Sequence, residues 1–128
     1  MSTLLRQFEF LGIDPDRFGH REHLQAGYEM LRKYPFLEAS SRYAVAINAM
    51  ATRAGAPEKF HVTVTLAFLS LIAERLELSD SSGRADFDAF IAANQELLAP
   101  NLLERWYSPE RLHSELARSQ FVLPDRVP

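Results

Sequence analysis

Residues 58–76 read EKFHVTVTLAFLSLIAERL, and this stretch limits the fold more than any other. Its opening, HVTVTL, alternates like a strand, whereas AFLSLIAERL is helical in composition. A strand of about 19 residues would far exceed the usual length. No second convincing strand is present to pair with it, and an unpaired strand leaves its backbone polar groups unsatisfied. Pro57 and Glu58 suit a helix start, because proline is pre-organised for a first helical position and an acid favours the first turn. The stretch therefore predicts one helix over about 57–77. At about 100° per residue its apolar positions cover most of the circumference, leaving a narrow polar strip of Thr63, Ser70, Glu74 and Glu77. A helix apolar nearly all round belongs at the centre of a bundle.

Further helices follow from their start and stop signals. Ser2 caps a first short helix carrying Leu4, Leu5, Phe8 and Leu11, closed by Gly12. GIDPDRFG is turn chemistry. A helix runs from His20 to about Tyr34 and stops before Pro35, and the next begins at Phe36 and ends at Gly55. Asp86 caps FDAFIAANQELLA, which is stopped near Pro100, and NLLERWY forms a short helix. Ser108-Pro109-Glu110 caps PERLHSELARSQF, read as one last helix. VLPDRVP, with its prolines, forms an extended tail. The 128 residues suit one domain, and no repeat or linker divides them. The expectation is a single all-α domain over 1–128: a compact bundle of five to seven helices, a central apolar helix at about 57–77, and the extended C-terminal tail strapped across it.

Composition narrows the function classes. The net charge is −3 and the arginines are scattered among carboxylates, so no clustered basic face offers itself to a nucleic acid. No window is long and apolar enough to span a bilayer, and no signal peptide is recognisable. The chain has no cysteine, which excludes disulfides and thiolate chemistry and suits a reducing cytoplasm.

Chemistry concentrates in the histidines. In HREHLQAGYEMLRKY, His20 and His23 fall on the apolar face with Leu24 and Leu31, while Arg21, Glu22, Gln25, Glu29, Arg32 and Lys33 take the other side. Their i, i+3 spacing makes them neighbours. His61 falls inside the apolar arc of the central helix, where burial and the helix N-terminus both favour a neutral ring. Three of the four histidines thus point inward from two helices. If they converge, His20, His23 and His61 form a three-imidazole metal site with an open position, suited to zinc, copper, nickel or iron. Each ring's other nitrogen then needs an acceptor. Tyr28 and Thr65 are the candidate cofactor-binding residues, with Glu74 or a backbone carbonyl as alternatives. Without a metal, His23 or His61 serves as acid or base toward a small-molecule ligand. The competing reading is a non-enzymatic helical module with structural histidines. Its alanine-rich helix at 36–55 would then suit a homodimer seam. Gly27, one turn beyond His23, fits either close helix packing or room for a ligand.

Three segments together carry a family resemblance: FGHREHLQAGYEMLRKYP, PEKFHVTVTLAFLSLIAERL and AANQELL…WYSPERLHSELARSQFVLPDRVP. They resemble a family of small bacterial proteins of unknown function, with the pattern F-x-H-x-x-H-[LV], then [YF]-H-x-T-x-T, then A-R-x-x-F-V-x-P-D. The positions matched are His20, His23, His61, Thr63 and Thr65, with Ala117, Arg118, Phe121, Val122, Pro124 and Asp125 near the tail. Val62 stands where many of those relatives carry glutamate, so the resemblance implies no carboxylate role there. It implies a bacterial cytoplasmic origin and points to the same three histidines.

Overall fold

The structure is a computed structural model that describes Leu5, Arg6, Phe8, residues 18–81, 83–84 and 86–126. Most of the expected first helix, residues 12–17 of the turn after it and the last two tail residues lie outside the described residues. Leu5 and Phe8 are helical and buried.

The described elements are all helical: α1 (His20–Lys33), α2 (Phe36–Arg53), α3 (Val62–Leu78), α4 (Phe87–Ala93), α5 (Pro109–Leu112) and α6 (Glu115–Ser119). Short 3-10 turns occupy Pro57–Lys59, Gln95–Leu98 and Leu102–Arg105. The all-α expectation and its five to seven helices are met. α1 starts where the Gly19 N–H donates to Glu22 Oε1 at 2.9 Å, and it ends before Pro35. α2 ends ahead of Gly55, whose φ of 77° lies in the left-handed region that glycine tolerates. Asp86 caps α4 by accepting from the Ala89 N–H at 2.7 Å.

α3 is central, as expected. It touches α1, α2, α6 and the 102–105 turn, and it contributes to two core clusters. Phe68 and Ile72 join Leu24, Tyr28, Phe90 and Leu97 in one, while Leu69 joins Phe8, Met30, Ala39 and Tyr43 in the other. Gly27 brings α1 close to α3: an added Cβ would meet Ile72 Cδ1 at 3.1 Å and Leu69 Cδ1 at 3.2 Å. Of its two expected roles, close packing is the one the contacts support. Ala39 and Ala46 of α2 face inward, into the second cluster.

Three expected helices are broken. The first break concerns the opening stretch. A 3-10 turn occupies 57–59, Phe60 and His61 are extended, and α3 begins only at Val62. Of the strand-like HVTVTL only His61 is extended, and residues 62–66 are helical. The second break is at Asn94, whose buried side chain donates to the Phe90 carbonyl at 2.9 Å and ends α4 there. The third divides 109–121. His113 lies between helices, and Ser114 caps α6 by accepting from the Ala117 N–H at 3.1 Å. Short polar side chains offer the backbone an alternative to continued helix.

The tail is extended and strapped down by hydrogen bonds from several elements. Thr63, placed on the polar strip by its wheel position, is fully buried. Its hydroxyl donates to the Gln120 carbonyl at 2.7 Å and accepts from the Val122 N–H at 3.1 Å. Tyr107 donates to the Val122 carbonyl at 2.8 Å, and Arg111 Nε to the Leu123 carbonyl at 2.7 Å. Asp125 accepts from the Ser108 N–H and hydroxyl. Arg118 pairs with Glu115 on its own helix turn and takes no part in holding Asp125.

Thr63→Val keeps the side-chain shape but removes both tail bonds, leaving the buried Val122 N–H without its acceptor. The expected loss of stability is about 1–3 kcal/mol by urea denaturation. The Val122 amide should also exchange faster with solvent. Thr63→Ser should recover most of both.

Candidate functional site

His20 and His23 sit in the first turn of α1, and His61 immediately precedes α3. The packing of α1 on α3 brings all three to one cavity of about 350 Å³. Phe18, Leu24, Ile47, Val64 and Phe68 supply apolar wall, and Tyr43, Thr65 and Lys59 the remaining polar side chains. The histidines therefore share one space, as their inward placement suggested.

Their hydrogen bonds assign the ring nitrogens, because a carbonyl only accepts. His20 Nε2 lies 2.8 Å from the Leu97 carbonyl, so Nε2 carries a proton, and in the neutral tautomer this leaves the lone pair on Nδ1. His23 Nδ1 lies 2.8 Å from the Gly19 carbonyl, so Nδ1 carries the proton and Nε2 the lone pair. Neither lone pair has a partner among the described residues, and no buried side-chain nitrogen or oxygen there is unsatisfied. Both lone pairs are therefore accessible. Each ring is also held by an aromatic edge. His23 meets Phe18 at 4.4 Å between centroids, and His20 meets Phe68 at 5.0 Å.

His61 is different. Its Nδ1 accepts from the Val64 N–H at 3.1 Å, capping α3, and its Nε2 donates to the Leu112 carbonyl at 2.7 Å. Both nitrogens are engaged by backbone. The sequence placed His61 inside the helix; it stands just before it, as the N-cap. Leu112 ends α5, where carbonyls lack helical partners, so the imidazole satisfies an otherwise orphaned acceptor.

Burial, first of all, lowers the His23 pKa below its ordinary value of 6.5, and nearby His20 acts in the same direction. The Gly19 carbonyl and Glu22 oppose the shift without cancelling it. Tyr43 lines the same cavity and donates its hydroxyl to the His23 carbonyl at 3.0 Å. Burial raises the pKa of that phenol, which keeps it a neutral donor.

The two candidate cofactor-binding residues separate. Thr65 lines the cavity, and its hydroxyl forms no hydrogen bond among the described residues. Tyr28 is away from it: its ring packs on Phe87 and Phe90, and its hydroxyl donates to the Gly83 carbonyl at 3.2 Å. Glu74 is exposed and His113 lies at the surface, bordering a second hollow on the other side of His61. Among the described residues, no three His, Asp or Glu side chains group closely enough to hold a metal ion. Phe18, Tyr43, Ile47 and Pro100 are lining residues that sequence reasoning missed, and Lys59 is the charged one among those missed. Its place two positions before His61 is the only signal, and it needs the 57–61 link to be extended beyond its 3-10 turn.

No family model, curated protein or solved structure matches the chain. No helix among the described residues is long and apolar enough to cross a membrane.

His61→Ala removes the cap and the Leu112 tether together, for an expected loss of about 2 kcal/mol by urea denaturation. His61→Asn should restore the cap and recover about half. His23 makes stability depend on pH. Its folded state favours the neutral ring, so its contribution is whole above pH 6.5 and falls as the unfolded chain takes the proton first. The loss continues down to the depressed folded value and then stops. His23→Asn keeps a donor for the Gly19 carbonyl but does not titrate. Its urea midpoint should change less than the wild type's as pH falls below 6.5.

Proposed function

We propose that this protein binds and acts on a small organic molecule in the cavity shared by His20, His23 and His61. The observation that carries the reading is the pair of imidazole nitrogens without hydrogen-bond partners, His20 Nδ1 and His23 Nε2, on two rings that line one largely apolar space. Cavities of this size range, apolar with a few convergent polar groups, are the usual form of small-molecule sites. His23 is the candidate acid–base group. Its Nδ1–H is oriented by the Gly19 carbonyl, burial favours its neutral form, and its free lone pair is where a proton would arrive. His61 acts as a positioning residue that fixes the wall between α3 and α5. A metal at the same place would find two free imidazole lone pairs rather than three, so a small organic ligand is the better-supported occupant. The cysteine-free chain is suited to such a role in the reducing cytoplasm.

Phenol tests the reading, because it pairs an apolar ring with one hydroxyl donor. On titration into the full chain, ring resonances of His20, His23 and Phe68 and the methyls of Ile47 should shift together and saturate. His20→Gln combined with His23→Asn should weaken binding about fivefold, since each amide replaces the imidazole donor but leaves its lone pair unmatched. Shifts scattered over the surface, with none at these four residues, would sink the proposal. A parallel zinc titration tests the metal reading. Stoichiometric binding lost in the same double variant would favour the ion.

A further inference from the structure

The polar groups around the cavity form an uneven set. Among the described lining residues Lys59 is the only one with a permanent charge, and no carboxylate lines the space. Lys59 is exposed on the 57–59 turn, and no ion pair holds it among the described residues. The carboxylates nearest in sequence have other neighbours. Glu22 accepts from the Gly19 N–H, and Glu58 is within electrostatic reach of Arg118. On the lining histidines, His20 Nδ1 and His23 Nε2 remain as acceptors while the N–H of each ring is already spent on a carbonyl, and the Thr65 hydroxyl serves as donor or acceptor. Aromatic edges from Phe18 and Phe68 flank the two imidazoles.

A ligand matching this set carries a negative charge for Lys59, an apolar and preferably aromatic body for the walls, and a hydroxyl donor for the imidazoles. A cationic head would face Lys59 with like charge, and a second acceptor against the imidazoles would leave lone pairs opposed. We propose that the cavity selects a hydroxyl-bearing aromatic carboxylate, with Lys59 and the two α1 imidazoles as its specificity-determining residues. This rests on the small-molecule reading above and adds the chemical class.

Three probes of one size separate the two contributions. 3-(4-Hydroxyphenyl)propionate has both features, 3-phenylpropionate lacks the hydroxyl, and tyramine replaces the carboxylate by an ammonium. Dissociation constants come from NMR titration of the full chain and of its variants. The hydroxylated acid should bind tightest. Tyramine should bind at least about fivefold more weakly, and Lys59→Gln should erase that difference. The acid without the hydroxyl should also bind about fivefold more weakly, and His20→Gln with His23→Asn should erase that difference. Lys59 is at the surface, so its variant will fold. Tyramine binding as tightly as the acid, or discrimination that survives Lys59→Gln, overturns the carboxylate assignment. Equal binding of the two acids by the wild type overturns the hydroxyl assignment. If phenol binds at the histidines and none of these preferences is found, the class falls and the small-molecule site stands. If phenol also fails there, both fall.

Discussion

The start of α3 is the point on which the rest of the structure depends. Over three residues, 61 to 63, the chain makes four side-chain hydrogen bonds, three of which join distant parts of the sequence. His61 caps its own helix and tethers Leu112, while Thr63 holds Gln120 and Val122. Both tethers end on backbone groups that helices cannot satisfy themselves: the last carbonyls of α5 and α6 and the first amide of the tail. Buried backbone polar groups without partners are costly, so these contacts determine where the C-terminal segment can lie. Tyr107 and Arg111 then extend the same strap from the other side.

The cavity is a consequence of this junction. Because α3 starts late, at Val62, the 57–61 link remains outside the helix and contributes Lys59 and His61 to one wall. Gly27 sets the close approach of α1 to α3 one turn beyond His23. The first turn of α1 then supplies the other histidines, with the Leu97 and Gly19 carbonyls fixing which nitrogen of each ring is free. All three imidazoles donate to backbone carbonyls. Only His61 also accepts from a backbone amide, and this separates a structural histidine from the two that can meet a ligand.

Much of this was legible in order along the chain. Pro35 and Gly55 bounded their helices as their chemistry requires, and Asp86 and Ser108 capped theirs. The wheel of 20–34 placed His20 and His23 on the inner face, and both line the cavity. What failed was continuity. The segments 57–77, 87–99 and 109–121 each read as one helix because local propensity sees no reason to stop. Each is broken where a side chain of the segment itself takes a backbone hydrogen bond: His61, Asn94 and Ser114. Thr63 was misplaced for a related reason. A threonine on an amphipathic wheel counts as polar and outward, yet a hydroxyl with two backbone partners is stable when fully buried.

The sequence by itself determined the all-helical class, the central place of the apolar helix, the inward direction of three histidines and the extended tail. These depend on periodicity, capping chemistry and proline geometry, which act over a few residues. Tertiary structure alone decided which histidine is structural, which lone pairs are free, and that Lys59 joins them. Those outcomes rest on partners far away in the chain, 51 residues for His61 and Leu112 and 77 for His20 and Leu97. A ring nitrogen's role is set by whatever lies opposite it, and only folding brings that partner into place.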